Sequence, residues 1–187
     1  MDTFTQKTKN NSLITTTKGM ATLSIKQPAA ALILYRGKDV ENRNHGRIFA
    51  KNGKTFQDDG PKWILIHTGQ SRQKGEQKLS HDILQSLGFK DTSAVLEGID
   101  QTRGSIVGAA LISAQLRPTD ICESMWASER EYHIIIDTVI AFSKPQPFKG
   151  RLGLFPVAWN ILSSDIQKEL QHIKDAFVMR LFPKPKY

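Results

Sequence analysis

The chain has a single cysteine, Cys122, among 187 residues. That excludes an internal disulfide framework and a cysteine-built zinc site. A reducing, intracellular setting, cytoplasmic or nuclear, is therefore expected. Long apolar runs are missing too. The longest, Ala29–Tyr35, spans seven residues, against the ~20 that a membrane helix needs, so no membrane partner is expected. The first twenty residues carry no apolar core and no arginine, which argues against a secretory signal and a transit peptide. The histidines at 45, 67, 81, 133 and 172 lack metal-ligand spacing, so neither a metal nor another cofactor is expected. Acidic residues are also scarce: 18 stand against 26 basic ones, a net charge of +8.

The position of that excess says more than its size. Residues 1–20 carry three lysines and one aspartate, and residues 21–60 carry seven basic and four acidic side chains. Residues 61–150 balance at ten and ten, and residues 166–187 carry five basic and two acidic. The surplus thus sits at both ends and near the early charged stretch. A polyanion such as RNA or another single-stranded nucleic acid is the expected partner. Basic tails that only maintain solubility are the plainer alternative.

A chain of this length buries roughly 70% of its unfolded surface, enough for one core. The expected organisation is a disordered basic tail (1–20), one domain (21–160), and a C-terminal helix with a basic tail (161–187). "ATLSIK" (21–26) reads as a short strand. "QPAAALILYRG" follows as a short buried helix, with Pro28 in its first turn and Gly37 just past its end. "KDVENRN" is extended. Residues 44–61 form a long connection, expected to act as a flap. "WILIHTG" (63–69) is a strand. A weak helix over 74–87 places Leu79, Ile83 and Leu87 on one face.

"GSIVGAALISAQL" (104–116) is a strand with a bulge or bend at Gly108. "EYHIIIDTVIAF" (131–142) is another, ended by a "KPQP" turn, and "GRLGLFPVAW" (150–159) is the last. A C-terminal helix is capped by Ser164, with Gln167 as its capping-box partner and Ile166, Leu170, Ile173 and Phe177 on one face. Short strands, apolar for several residues running, with few helices predict an α+β fold built on a small mixed β-barrel.

One stretch stands apart. "YRGKDVENRN" (35–44) sets Lys38, Asp39, Glu41, Asn42, Arg43 and Asn44 directly after the apolar run. Lys38 and Glu41 are three apart and would face opposite ways in a regular strand. They converge only if the chain leaves the helix near Lys38 and straightens by Glu41, which Gly37 permits. Glu41 could accept from a base amino group, while Lys26, Lys38 and Arg43 could hold phosphate or a carbonyl oxygen. Trp126 is the aromatic candidate for stacking on a base, with burial in the core as its plainer reading; Trp63 and Trp159 read as core. His67, at the end of a strand, reads as a structural histidine or as a lining of the cleft. Thr68, Gly69 and Ser71 could offer donors beside it. A fully solvated strand is the bland reading of the charged stretch.

"LSIKQPAAALILYRGKDVENRN", "GPKWILIHTG", "GSIVGAALIS", "YHIIIDTVIAF" and "PQPFKGRLGLFPV", in that order, resemble the ASCH domain family of the PUA-like superfamily. The family signature is Gly-x-Lys-x-x-Glu-x-Arg, and Lys38, Glu41 and Arg43 match its later positions. The chain departs from the pattern in its adjacent Gly37 and Lys38, and in Ala29, where an aromatic often follows Gln-Pro. The resemblance covers about residues 21–158. It implies a PUA-like barrel whose cleft, lined by the signature residues, suits RNA or a modified nucleoside. Some relatives act as hydrolases, either amidohydrolases on acylated cytidine or ribonucleases. Such chemistry would fall here to Lys38 and Glu41 as catalytic residues, with a third acid among Glu123, Glu129 and Glu131. A protein-interaction module is the remaining alternative, and a monomer is expected.

Overall fold

The computed structural model describes residues 19–44, 62–72, 76–98 and 101–181. The long connection expected to be a flap and most of the N-terminal tail lie outside these residues. The elements are β1 (Met20–Gln27), α1 (Ala29–Tyr35), β2 (Val40–Arg43), β3 (Lys62–Arg72), α2 (Glu76–Ser86), α3 (Thr92–Glu97), β4 (Ser105–Leu116), β5 (Tyr132–Pro147), β6 (Leu154–Val157), a 3-10 turn (Trp159–Ile161) and α4 (Ser164–Leu181). They form a mixed α+β fold around one curled, half-barrel sheet. The strand order is β2-β5-β4-β3-β1-β6. β1 and β3 run parallel, and every other neighbouring pair is antiparallel.

The sheet is buried on both faces, which explains its unbroken apolar runs. Met20, Trp63, Leu65, Ala109, Leu111 and Phe155 pack with Ile166, Leu170 and Ile173 of α4 on one face. On the other, Leu23, Ile25, Ile64, Ile66, Ala110 and Ile112 pack with Ala29, Ala30 and Ile33 of α1. The odd-even alternation along β3 divides the two sets. The C-terminal helix therefore shares the domain's core, and the side chain of Phe177 lies outside the described ones. A third cluster joins Ala31, Leu32 and Val40 to Ile83 and Leu84 of α2, Leu96 of α3, and Trp126.

The expected helix after β1 is present. Gly37 has φ +69, and the Leu32 carbonyl accepts from the amides of both Arg36 and Lys38. The bulge is present as well: the β4–β5 register shifts between Ile106 and Gly108. A Cβ on Gly108 would sit 2.4 Å from the Ile140 carbonyl oxygen, so only glycine fits.

Several expectations need correction. β1 begins at Met20, which is buried, so the tail ends before it. The "KPQP" segment is no turn, because β5 runs through it to Pro147. β2 pairs only with Tyr132–Ile135, leaving the far end of β5 with β4 as its one partner. A strand with an open side tolerates proline. Leu87 is exposed, and Leu84 takes the inward position beside Ile83. The cap of α4 is Ser163, whose hydroxyl accepts from the Ile166 amide, while Gln167 donates its side chain to the carbonyls of Trp159 and Leu162. α3 was not anticipated; Asp91 caps it by accepting from the Ala94 amide.

Candidate functional site

β2 is four residues long and forms one edge of the sheet. Val40 and Asn42 point to one side. The side chain of Asn42 donates to the Trp126 carbonyl and accepts from the Ser128 amide, fixing the 124–128 segment across β2. Glu41 and Arg43 point the other way. Glu41 pairs with Ile134, whose side chain belongs to the α1-side core, and paired residues share a face.

Arg43 Nε lies 3.1 Å from Glu41 Oε1. Its Nη2 donates to the Ser24 carbonyl at 2.6 Å. That bond crosses from the β2 edge to β1, near the opposite edge. β6 covers β1 only from Met20 to Leu23, so Ser24 is the first residue beyond that cover. The guanidinium thus spans a seam between the two edges of the curl. Planar, permanently charged and forked, it can serve a carboxylate and a carbonyl together.

The seam gathers further polar groups. Ser24 pairs with His67 across the parallel β1–β3 ladder. Ser24 Oγ lies 3.0 Å from His67 Nδ1 and donates to the Arg151 carbonyl at 2.8 Å. His67 Nε2 lies 3.0 Å from the Phe148 carbonyl. Since a carbonyl only accepts, Nε2 carries the proton and Nδ1 presents its lone pair. Burial pushes the His67 pKa below its usual 6.5, a shift partly opposed by the Phe148 carbonyl. Lys26 is exposed on β1, and Lys149 and Arg151 are exposed on the loop that reaches over His67.

The predicted residues divide into three groups. Glu41 and Arg43 meet as an ion pair at the seam. The Lys38 ammonium sits 5.4 Å from the Trp126 ring centroid, with Lys38 2% and Trp126 3% exposed. Trp126 therefore belongs to the core, and its ring is covered by a cation. Lys26 stands in solvent. Of the candidate third acids, Glu123 and Glu129 are exposed and Glu131 is half-buried. Glu129 lines a separate open recess of about 370 Å³, together with Cys122, Arg130 and His133. Among the described residues no group of three or more His, Cys, Asp or Glu side chains could hold a metal ion.

Ser24, Phe148 and Arg151 were not anticipated as site residues. Their convergence depends on the β1–β3 register and on a loop 124 residues after Ser24, and no local spacing encodes either. His67 lies within β3 rather than at its end. No family model matches the chain, and no curated protein matches it. No helix among the described residues is long and apolar enough to cross a membrane.

Proposed function

We propose that this protein binds RNA or a modified nucleoside at the seam between β1 and β2, in the manner of an ASCH-like, PUA-like domain. The observation that carries the reading is the Arg43 guanidinium. It is tied to Glu41 and to the Ser24 carbonyl and has exposed Lys26, Lys149 and Arg151 around it. Lysine and arginine side chains at such a place neutralise phosphates. The forked donor of Arg43, partly exposed, suits the polar edge of an unstacked base, with the buried Glu41 carboxylate holding it in place. The burial of Lys38 and Trp126 makes them the support of the charged stretch, with contact left to the exposed cations. This favours binding over hydrolysis by Lys38 and Glu41.

The test is a fluorescence-anisotropy titration of single-stranded RNA, single-stranded DNA of equal sequence, and heparin, at several salt concentrations. The expected result is tighter binding of RNA than of DNA, with a base-dependent component that survives high salt. The variant Lys26→Ala/Arg151→Ala should weaken binding and flatten the log–log salt slope by up to about 1.4 units, at about 0.7 per single-strand phosphate contact. Equal affinity for RNA, DNA and heparin, unchanged by that variant, overturns the reading and favours an acidic protein partner.

A further inference from the structure

Ser24 and His67 face each other across β1 and β3 with the relations of a nucleophile and its base. We infer that they form a hydrolytic pair, Ser24 the nucleophile and His67 the general base, acting on acyl esters that carry a negative charge. Nucleophilic serine chemistry requires a base within hydrogen-bond reach and a third group that orients the base. Both relations are present, at 3.0 Å from Ser24 Oγ to His67 Nδ1 and 3.0 Å from His67 Nε2 to the Phe148 carbonyl. The Phe148 carbonyl takes the place an acidic side chain fills in a triad, and it leaves the Nδ1 lone pair facing the hydroxyl. The imidazole is held in place by packing. Phe148 and Phe155 meet it edge-on, with centroids at 6.4 and 6.0 Å. Gly150 passes so close that a Cβ there would lie 2.2 Å from the ring.

The serine hydroxyl has one proton and two acceptors. At rest the Arg151 carbonyl, at 2.8 Å, holds it. Nδ1 lies within reach of the same hydroxyl at 3.0 Å, so rotation about the Cβ–Oγ bond turns the proton from the carbonyl to the imidazole. Lys26 lies two residues from Ser24, exposed Lys149 and Arg151 flank the Gly150 that touches the His67 ring, and Arg43, on the Ser24 carbonyl, is paired with Glu41. The nearby β4 and β6 residues, Ile106 and Phe155, carry no charge. With Arg43 balanced by Glu41, the three exposed cations leave a net positive surrounding that selects an anionic substrate. Burial also keeps the imidazole neutral, the form a base needs.

In the first step Ser24 Oγ attacks the ester carbonyl carbon. A C–O bond forms, the carbonyl electron pair moves onto its oxygen, and the hydroxyl proton passes to Nδ1. Collapse of this adduct breaks the bond to the alcohol oxygen, which leaves with the proton from Nδ1. Water then attacks the acyl carbon and gives a proton to Nδ1. That proton returns to Ser24 as the carboxylic acid departs.

A fluorophosphonate probe tests the pair in the full chain, since the serine would displace fluoride from phosphorus. The expected product is phosphonylated Ser24, located by peptide mass spectrometry and absent in Ser24→Ala. His67→Gln should slow labelling by about 100-fold or more. In the unsubstituted chain, labelling should rise with pH through a midpoint below 6.5. That profile needs no variant to fold. The anionic ester 4-nitrophenyl succinate should turn over faster than 4-nitrophenyl acetate. An unlabelled Ser24, or a His67→Gln chain labelled as fast as the parent, overturns the inference. Nucleic-acid affinity measured on Ser24→Ala is independent of this outcome.

Discussion

Lys38 shows how one side chain can be charged and still be scaffold. Its four-carbon stem lies in the interior and its ammonium meets a tryptophan face, an arrangement worth about 0.5–2 kcal/mol. Lys38→Ala removes stem and charge together and should destabilise the fold by about 2 kcal/mol or more. Lys38→Met keeps the volume and should stay within about 1 kcal/mol of the parent. Urea unfolding of both variants checks this, and a fully stable Lys38→Ala protein excludes the scaffold role. Arg43 is a different case. Arg43→Met takes the guanidinium from a carboxylate only 4% exposed, at a cost of about 3 kcal/mol. The double variant with Glu41→Gln should recover part of it. His67 gives stability a pH dependence. With its folded pKa below 6.5, the unfolded chain binds more protons as pH falls through 6.5, so stability falls with it. Melting temperatures between pH about 7.5 and about 5 should decline less for His67→Gln than for the parent chain.

At the scale of elements, the α4 cap separates two readings. Ser163→Ala should cost about 1 kcal/mol and Ser164→Ala little, as read by thermal melting. Gly108→Ala should cost about 1–3 kcal/mol, since the added carbon would meet the Ile140 carbonyl and the Leu34 side chain. Strand positions, the helix after Gln-Pro and the Gly108 bulge were legible because each leaves a local mark: an apolar run, a proline followed by a glycine, a glycine inside a strand. The passage of β5 through two prolines was not, because it depends on which side of the strand has a neighbour. The same limit applied to the site. The charged stretch announced itself, and Arg43 with Glu41 followed from it. The burial of Trp126 under Lys38 and the approach of Ser24 to His67 depend on side-chain direction and strand register. α3 shows the converse: its Asp91 cap lay in plain view, but six residues give too little period to notice.

For the molecule as a whole, charge and topology have separate consequences. Three lysines and one aspartate lie before residue 19. Removing residues 1–18 should weaken nucleic-acid affinity for all sequences alike and flatten the salt slope by about 2 units. Truncation should stop there, because Met20 is fully buried and a side chain on Gly19 would strike the Val157 backbone. A loss confined to one base would contradict this division between tail and seam. Among the described strands β1 comes first in the chain and β6 last, and the two pair from Met20–Val157 to Leu23–Leu154. A chain growing on the ribosome therefore carries an unpaired, apolar strand edge until residues 154–157 have emerged. Loss of the last few dozen residues would strip β1 of that partner and the sheet of α4. The fold is thus all-or-none with respect to its own translation: a prematurely stopped product should be insoluble, a substrate for chaperones and proteases rather than a smaller working domain.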